Sequence, residues 1–269
     1  MENKTMQELQ LVKQLCDLNS QFKDIEAKSE SFTSTPKQHF LVVRLDGIGL
    51  SKKYLKDKVI NKQFQKVMIK AIEQTYYVLR RKSPSNAQQL FLGVVMASDE
   101  VSFILNTYDN YFDDRLFKIV TTIASTFTNF FTQEGVHKNR NLSITGSFDG
   151  KPLILPNLEE VNQYIAYRAA VYTRNSMAKL LRLKGVDCNE LYNPKNNNNL
   201  DYYQMKLSQL NLKADDLSEG CIVFVPSRGD NEELKKFKNK SLDKLITLYS
   251  TSIEGLDNWL HEKNTLTAS

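Results

Sequence analysis

The stretch LFLGVVMASDEVSFILNT, residues 90–107, constrains the fold more than any other part of the chain. Two runs rich in Val, Phe and Ile flank the polar tip Ala97-Ser98-Asp99-Glu100, which predicts a β-hairpin or two strands pivoting at that tip. A second strand signal, HFLVVRLDG at 39–47, ends in Asp46-Gly47-Ile48-Gly49, a sequence that favours a tight turn. Between them, Phe64, Val67, Met68, Ala71, Ile72, Tyr76 and Leu79 recur at helical spacing from about Lys62 to Arg81, where Ser83-Pro84-Ser85 breaks the pattern. A second long helix is predicted from about Asp109 to Gln133. NLSITGSFDGKPLILP, residues 141–156, carries Asp149-Gly150 between two strand-like runs and predicts a second hairpin. Asn157 and Glu160 have the spacing of an N-cap and capping box for a third helix through Leu183. The order β–α–β–β–α–β, followed by more helix, is the split βαβ or ferredoxin-like plan, an α+β fold with an antiparallel sheet.

The flanks divide the chain into a polar N-terminal extension (1–36), a core (37–156) and a helical and C-terminal region (157–269). The extension has a weak helical period through Leu9, Leu11, Val12, Leu15 and Leu18, then a Ser/Thr-rich stretch that reads as a loop. Beyond the core, Asn196–Asn199 reads as a low-complexity surface loop. A short helix near Tyr202–Leu210, a strand CIVFVPS and a final helix (Leu242–His261) follow. No apolar run approaches the roughly 20 residues that span a bilayer, so no membrane role is expected. The charged N-terminus lacks the apolar segment of a secretory signal. Three cysteines without a CxxC pair and three scattered histidines give neither a disulfide framework nor a zinc site. A reducing, cytoplasmic compartment is the expectation, with a mitochondrial one left open. The net charge of +5 permits a polyanionic partner without requiring one.

Asp46 at the C-terminal end of the first strand and Asp99-Glu100 at the hairpin tip are brought to one sheet edge by a βαββ arrangement. Carboxylates from two such places, with a backbone carbonyl such as that of Gly47, have the donor chemistry for a pair of Mg²⁺ ions roughly 3.5–4 Å apart, the arrangement used in phosphoryl transfer. Taken singly, Asp-Gly is an ordinary turn dipeptide and Ser-Asp-Glu an ordinary hairpin tip, and from spacing alone both readings stand. Arg115 and Lys118, three apart near the start of the second long helix, form either a triphosphate clamp or a solvated face partnered by Asp113 and Asp114. Lys52, Lys53, Lys56 and Lys58 form another basic cluster just after Asp46.

RLDGIG at 44–49, ASDEVSF at 97–103, FDGK at 148–151 with Pro156, and YRAAVYTRNS at 167–176 resemble, in order and spacing, the successive motifs of the tRNA-His guanylyltransferase superfamily of 3′–5′ nucleotide polymerases. The resemblance implies a core like the palm of ordinary polymerases. It implies that Asp46, the Gly47 carbonyl and Asp99 hold two Mg²⁺ ions with Glu100 beside them. Ser98, Arg115, Lys118 and, in a loop of different length, Lys58 would contact nucleotide. Arg168, Arg174 and Asn175 would meet RNA or a second nucleotide. Ile48 and Ser51 replace a basic residue and a histidine of the guanylyltransferases, with Ser51 at the nucleotide side. Thr173–Lys179 replaces the His-Ile-Asn-Asn-Leu-Tyr-Asn stretch of the tRNA-His enzymes, and its Arg-Asn-Ser form is closer to the repair-type relatives.

The implied activity is template-dependent addition of nucleotides to the 5′ end of tRNA through an adenylylated intermediate, with ATP and GTP or other NTPs as substrates and a homotetramer as the assembly. Three alternatives remain: a tRNA-His guanylyltransferase proper, a palm-fold nucleotidyl cyclase-like enzyme, and a non-catalytic RNA-binding relative.

Overall fold

The computed structural model describes residues 2–54, 63–81, 90–107, 111–137, 143–193, 200–212, 221–226 and 234–239. In chain order its elements are α1 (Glu2–Cys16), α2 (Asn19–Ser29), β1 (Phe40–Gly47), α3 (Leu50–Lys53), α4 (Gln63–Arg81), β2 (Phe91–Ala97) and β3 (Glu100–Asn106). They continue as α5 (Leu116–His137), β4 (Phe148–Leu155), α6 (Leu158–Leu183), α7 (Cys188–Leu191), α8 (Leu200–Gln209), β5 (Cys221–Pro226) and β6 (Leu234–Asn239). The strands form one sheet in the order β4-β1-β3-β2-β5-β6, every neighbouring pair antiparallel. The first four strands reproduce the expected split βαβ plan, with β3 inserted between β1 and β2.

Strand alternation divides the core. Leu41, Val43 and Leu45 of β1 face α4 and α5, while Phe40 and Val42 face α6 and α2. On α4, Phe64, Val67, Met68, Ala71, Ile72, Tyr76 and Leu79 are all buried, the stripe that its sequence period predicts. Asn157 caps α6 as expected, its side-chain oxygen accepting the Glu160 N–H at 2.8 Å. The N-terminal extension folds as α1 and α2; Phe22 of α2 stacks on Tyr167 of α6, ring centroids 5.0 Å apart. No helix among the described residues is long and apolar enough to cross a membrane.

Two expectations need correction. The second hairpin does not form: Phe148–Leu155 is one unbroken strand, paired with β1 from Phe40↔Leu155 to Gly47↔Phe148, so Asp149-Gly150 lies within a ladder. A Cβ at position 150 would come within 3.1 Å of Val120 and 3.3 Å of Ala124, both on α5, so the glycine serves helix–sheet packing rather than a turn. The sheet also continues past β5 into β6, whose lysine-rich sequence LKKFKN lacks an apolar alternation and has the charge typical of an edge strand. The predicted final helix, Leu242–His261, lies outside the described residues.

Phe127 of α5 is fully buried, edge-to-face against Phe103 and Phe148 and beside Phe131. Phe127→Ala is expected to lower the unfolding free energy by about 3–5 kcal/mol in urea titration, the range for a large buried aromatic.

Candidate active site

Strand register assembles the site. Asp46, at the end of β1, lies opposite Glu100 at the start of β3 and opposite Asp149 on β4, so three carboxylates share one end of the sheet. Asp99 occupies the turn between β2 and β3, after Ser98, whose φ of 64° is left-handed. The Gly47 N–H donates to the Asp99 carbonyl at 3.1 Å and ties the two segments together. A Cβ on residue 47 would meet Leu50 Cδ1 at 2.7 Å and Asp99 Cβ at 3.1 Å, so a side chain there would push Leu50 and Asp99 aside.

Side chains complete the geometry. The Ser98 hydroxyl donates to Asp99 Oδ1 at 2.8 Å and accepts from the Lys179 ammonium at 2.5 Å. Lys179 itself stands 4.0 Å from Asp99 Oδ1. Glu100 is buried and ion-paired with Arg168, each side chain 11% exposed. Behind them, Glu26 of α2 pairs with Arg44 and with Lys151, both at 3.1 Å. Burial raises the Asp46 carboxyl above its ordinary range, and Asp99 and Asp149 add like-charge repulsion. Burial also raises Glu100, opposed by the Arg168 and Arg44 guanidinium groups. Lys179 is lowered by burial, with Asp99 pulling the other way.

These groups open onto a cleft of about 340 Å³. The hairpin tip with Asp46 forms one wall, and α6 forms the other through Arg168, Arg174, Asn175, Lys179 and Arg182; Tyr192 and Tyr203 close one end. The structure thus brings together Asp46, Ser98, Asp99, Glu100, Arg168, Arg174 and Asn175, with Gly47 adjoining. Arg168 and Glu100 both line the cleft and are ion-paired with each other.

Arg115 and Lys118 are not in the cleft. Arg115 bridges to Ser34, beyond the Phe40↔Asn106 end of the β1–β3 ladder, roughly 20 Å of strand rise from Asp46. Arg115 instead lies 3.9 Å from Asp113, and Lys118 stands 4.9 Å from the centre of the Phe112 ring. Ser51 lies in α3, just after the Ile48-Gly49 turn that follows β1. Lys58 falls outside the described residues.

Sequence reasoning missed Asp149, Lys179, Arg182, Tyr192 and Tyr203. Asp149 was hidden by the turn reading of Asp-Gly. The basic positions had a readable signal: Arg168, Asn175, Lys179 and Arg182 recur at spacings of seven, four and three, one face of a helix. The two tyrosines come from α8 and the residue after α7, and only tertiary packing brings them in.

The donors fit a hard divalent cation. Among the described residues no group of three or more His, Cys, Asp or Glu side chains is placed to hold a metal; the candidate donors are two carboxylates that line the cleft, Asp46 and Asp99, with the adjoining Gly47 carbonyl. That set suits Mg²⁺, which keeps several waters and shares its shell with phosphate oxygens.

Sheet order, a carboxylate at the end of β1 and a cationic helix across the cleft define an α+β protein with a ferredoxin-like core. Residues 19–156, just over half of the chain, match the sequence profile of the tRNAHis guanylyltransferase (Thg1) family, and the chain belongs to that family. A tRNA(His) guanylyltransferase of Neurospora crassa is 27% identical over 161 residues, 56% of this chain and 50% of that protein. The chain therefore spans about half the length of that curated relative. The fold is shared with a bacterial Thg1-like protein solved in complex with ATP, at TM-score 0.59 and 20% identity, covering 82% of this chain and 91% of that one. It is shared also with the tRNA(His) guanylyltransferase of Saccharomyces cerevisiae, at TM-score 0.56 and 21% identity, covering 78% and 94%.

Removing one member of the buried pair leaves the other charge unpaired. Arg168→Met alone is expected to destabilise by about 3–5 kcal/mol, and Glu100→Gln with Arg168→Met to recover most of that loss. A double-mutant cycle in urea measures both.

Proposed function

We propose that this chain adds nucleotides to the 5′ end of a tRNA or tRNA-like RNA in the 3′–5′ direction, copying the opposite strand, through an adenylylated 5′ end. The observation that carries this reading is the convergence of Asp46 and Asp99 on a cleft walled by Lys179, Arg174 and Arg182. Membership of the Thg1 family supports it. The Arg174-Asn175-Ser176 sequence favours end repair over tRNA-His recognition, because it resembles the repair-type relatives.

Both stages are in-line displacements at phosphorus. A 5′-phosphate oxygen of the RNA first attacks the α-phosphorus of ATP, and pyrophosphate leaves. The 3′-hydroxyl of an incoming NTP then attacks the activated 5′-phosphorus, loses its proton to solvent and expels AMP. Asp46, Asp99 and the Gly47 carbonyl would hold two Mg²⁺ ions, which when bound lower the pKa of an attacking hydroxyl and neutralise the leaving oxygens. Ser98 fixes the Asp99 rotamer by its hydrogen bond to Oδ1. Arg168 holds Glu100 and so anchors the start of β3 beneath Asp46. Lys179, Arg174 and Arg182 supply the positive field that draws triphosphate and RNA 5′-phosphate into one cleft. A base chosen by pairing with the opposite strand leaves the protein no base to read.

The test uses a 5′-monophosphorylated tRNA lacking its first nucleotide, with ATP, all four NTPs and Mg²⁺. Wild type is expected to extend the 5′ end in register with the opposite strand. Asp46→Asn and Asp99→Ala should each lose on the order of a thousandfold or more in rate, and chelation of Mg²⁺ should abolish extension reversibly. Nucleotide turnover that ignores RNA, or extension unchanged in Asp99→Ala, would overturn the reading.

A further inference from the structure

The outer end of the cleft is built with more care than the carboxylate chemistry requires. Tyr192 directly follows α7 and is 45% exposed, yet its turn is fastened three times to α8. The Tyr203 hydroxyl donates to the Leu191 carbonyl at 3.1 Å, the Tyr202 hydroxyl donates to Glu190, and Lys206 pairs with Glu190 at 2.7 Å. An exposed ring on an anchored turn is a ready stacking surface. From α6, Arg182 reaches it: Nη1 donates to the Tyr192 hydroxyl at 3.4 Å, and the guanidinium carbon stands 5.8 Å from the ring centre. Lys179 lies three residues earlier on the same helix face, about 4.5 Å along the axis, and 4.0 Å from Asp99.

Outward from Asp99 the cleft therefore runs anionic, cationic, aromatic. That order complements a nucleotide whose phosphate lies nearest the reacting centre and whose base points away. We infer that Lys179, Arg182 and Tyr192 form a subsite for a nucleoside 5′-phosphate, with the phosphate between the two cations and the base against the Tyr192 ring. Stacking on tyrosine is tolerant of base identity, as suits an enzyme whose base choice comes from pairing. The inference rests on the proposed function, and its ligand has two sources in that reaction: the 5′-terminal nucleotide of the RNA or a nucleoside triphosphate.

Equilibrium binding separates the sources. The probes are an acceptor-stem hairpin with a 5′-monophosphate, the same hairpin with a 5′-hydroxyl, and ATP or GTP with Mg²⁺. The proteins are wild type, Arg182→Ala, Tyr192→Ala and Tyr192→Phe, each checked by thermal melting. If the subsite holds the RNA end, Arg182→Ala erases the preference for the 5′-phosphate and Tyr192→Ala weakens the hairpin by about tenfold, while triphosphate binding is unchanged in Tyr192→Ala and falls less than hairpin binding in Arg182→Ala. If it holds the triphosphate, the losses fall on ATP or GTP instead. In either case Tyr192→Phe binds like wild type, because the ring remains. Folded alanine variants that bind every probe as wild type does would overturn the subsite and leave the proposed function standing. A Tyr192→Phe loss equal to that of Tyr192→Ala would overturn the stacking. Wild type that binds neither hairpin nor triphosphate would overturn the proposed function itself.

Discussion

The structure turns on how β1 is registered between β3 and β4. That register sets Asp46 opposite Glu100 on one side and Asp149 on the other, with Asp99 one residue before Glu100 in the turn. Four carboxylates at one end of a sheet repel, and a slip of one residue would turn Asp46 toward the apolar layer under α4 and α5. What holds the arrangement is opposite charge supplied by other elements. Arg168 and Lys179 come from α6, and Arg44 sits two residues before Asp46 on the same face of β1. The helix across the cleft is thus part of the site's electrostatics as well as its wall.

Glu26 carries this balance into the N-terminal extension. By pairing with Arg44 and Lys151 it links α2 to both β1 and β4 a short way behind the carboxylates. The alternation Lys151, Glu26, Arg44, Glu100, Arg168 sets each of these charges beside an opposite one, which offsets part of the cost of burying them. Phe22 and the Ser29 hydroxyl, which accepts the Ile154 N–H at 2.9 Å, fix the same helix to the sheet. Residues 19–29 are therefore structural members of the core.

Legibility in the sequence followed the range of the interactions. Hairpin, first strand and amphipathic helices were readable because alternation and 3.6-residue periods are local. So was the meeting of Asp46 with Asp99, since a βαββ order leaves those two ends little choice. Asp149-Gly150 misled because the pair is written the same way in a turn and in a strand crossed closely by a helix; only Val120 and Ala124 distinguish the cases. Arg115 and Lys118 share a helical face in sequence, yet the direction of β3 sends them to the opposite end of the sheet from Asp46. Tyr192 and Tyr203 had no local signal, since their place depends on how α7 and α8 pack on α6.

The different fates of two consecutive acids follow from backbone geometry. Asp99 sits in the turn and opens to the cleft beside Ser98 and Gly47, while Glu100 begins a strand and takes its direction from the pleat, toward α6. On that face it meets Arg168, and burial with a guanidinium partner makes it a fixed anchor. Exchanging their roles would require moving the turn by one residue, which would also uncouple Gly47 from the Asp99 carbonyl. The Ser-Asp-Glu order therefore gives two adjacent buried acids different partners, Ser98 and Lys179 for Asp99 and Arg168 for Glu100. The aspartate is kept close to Asp46 by a glycine whose N–H donates to its carbonyl, and both carboxylates line the same cleft.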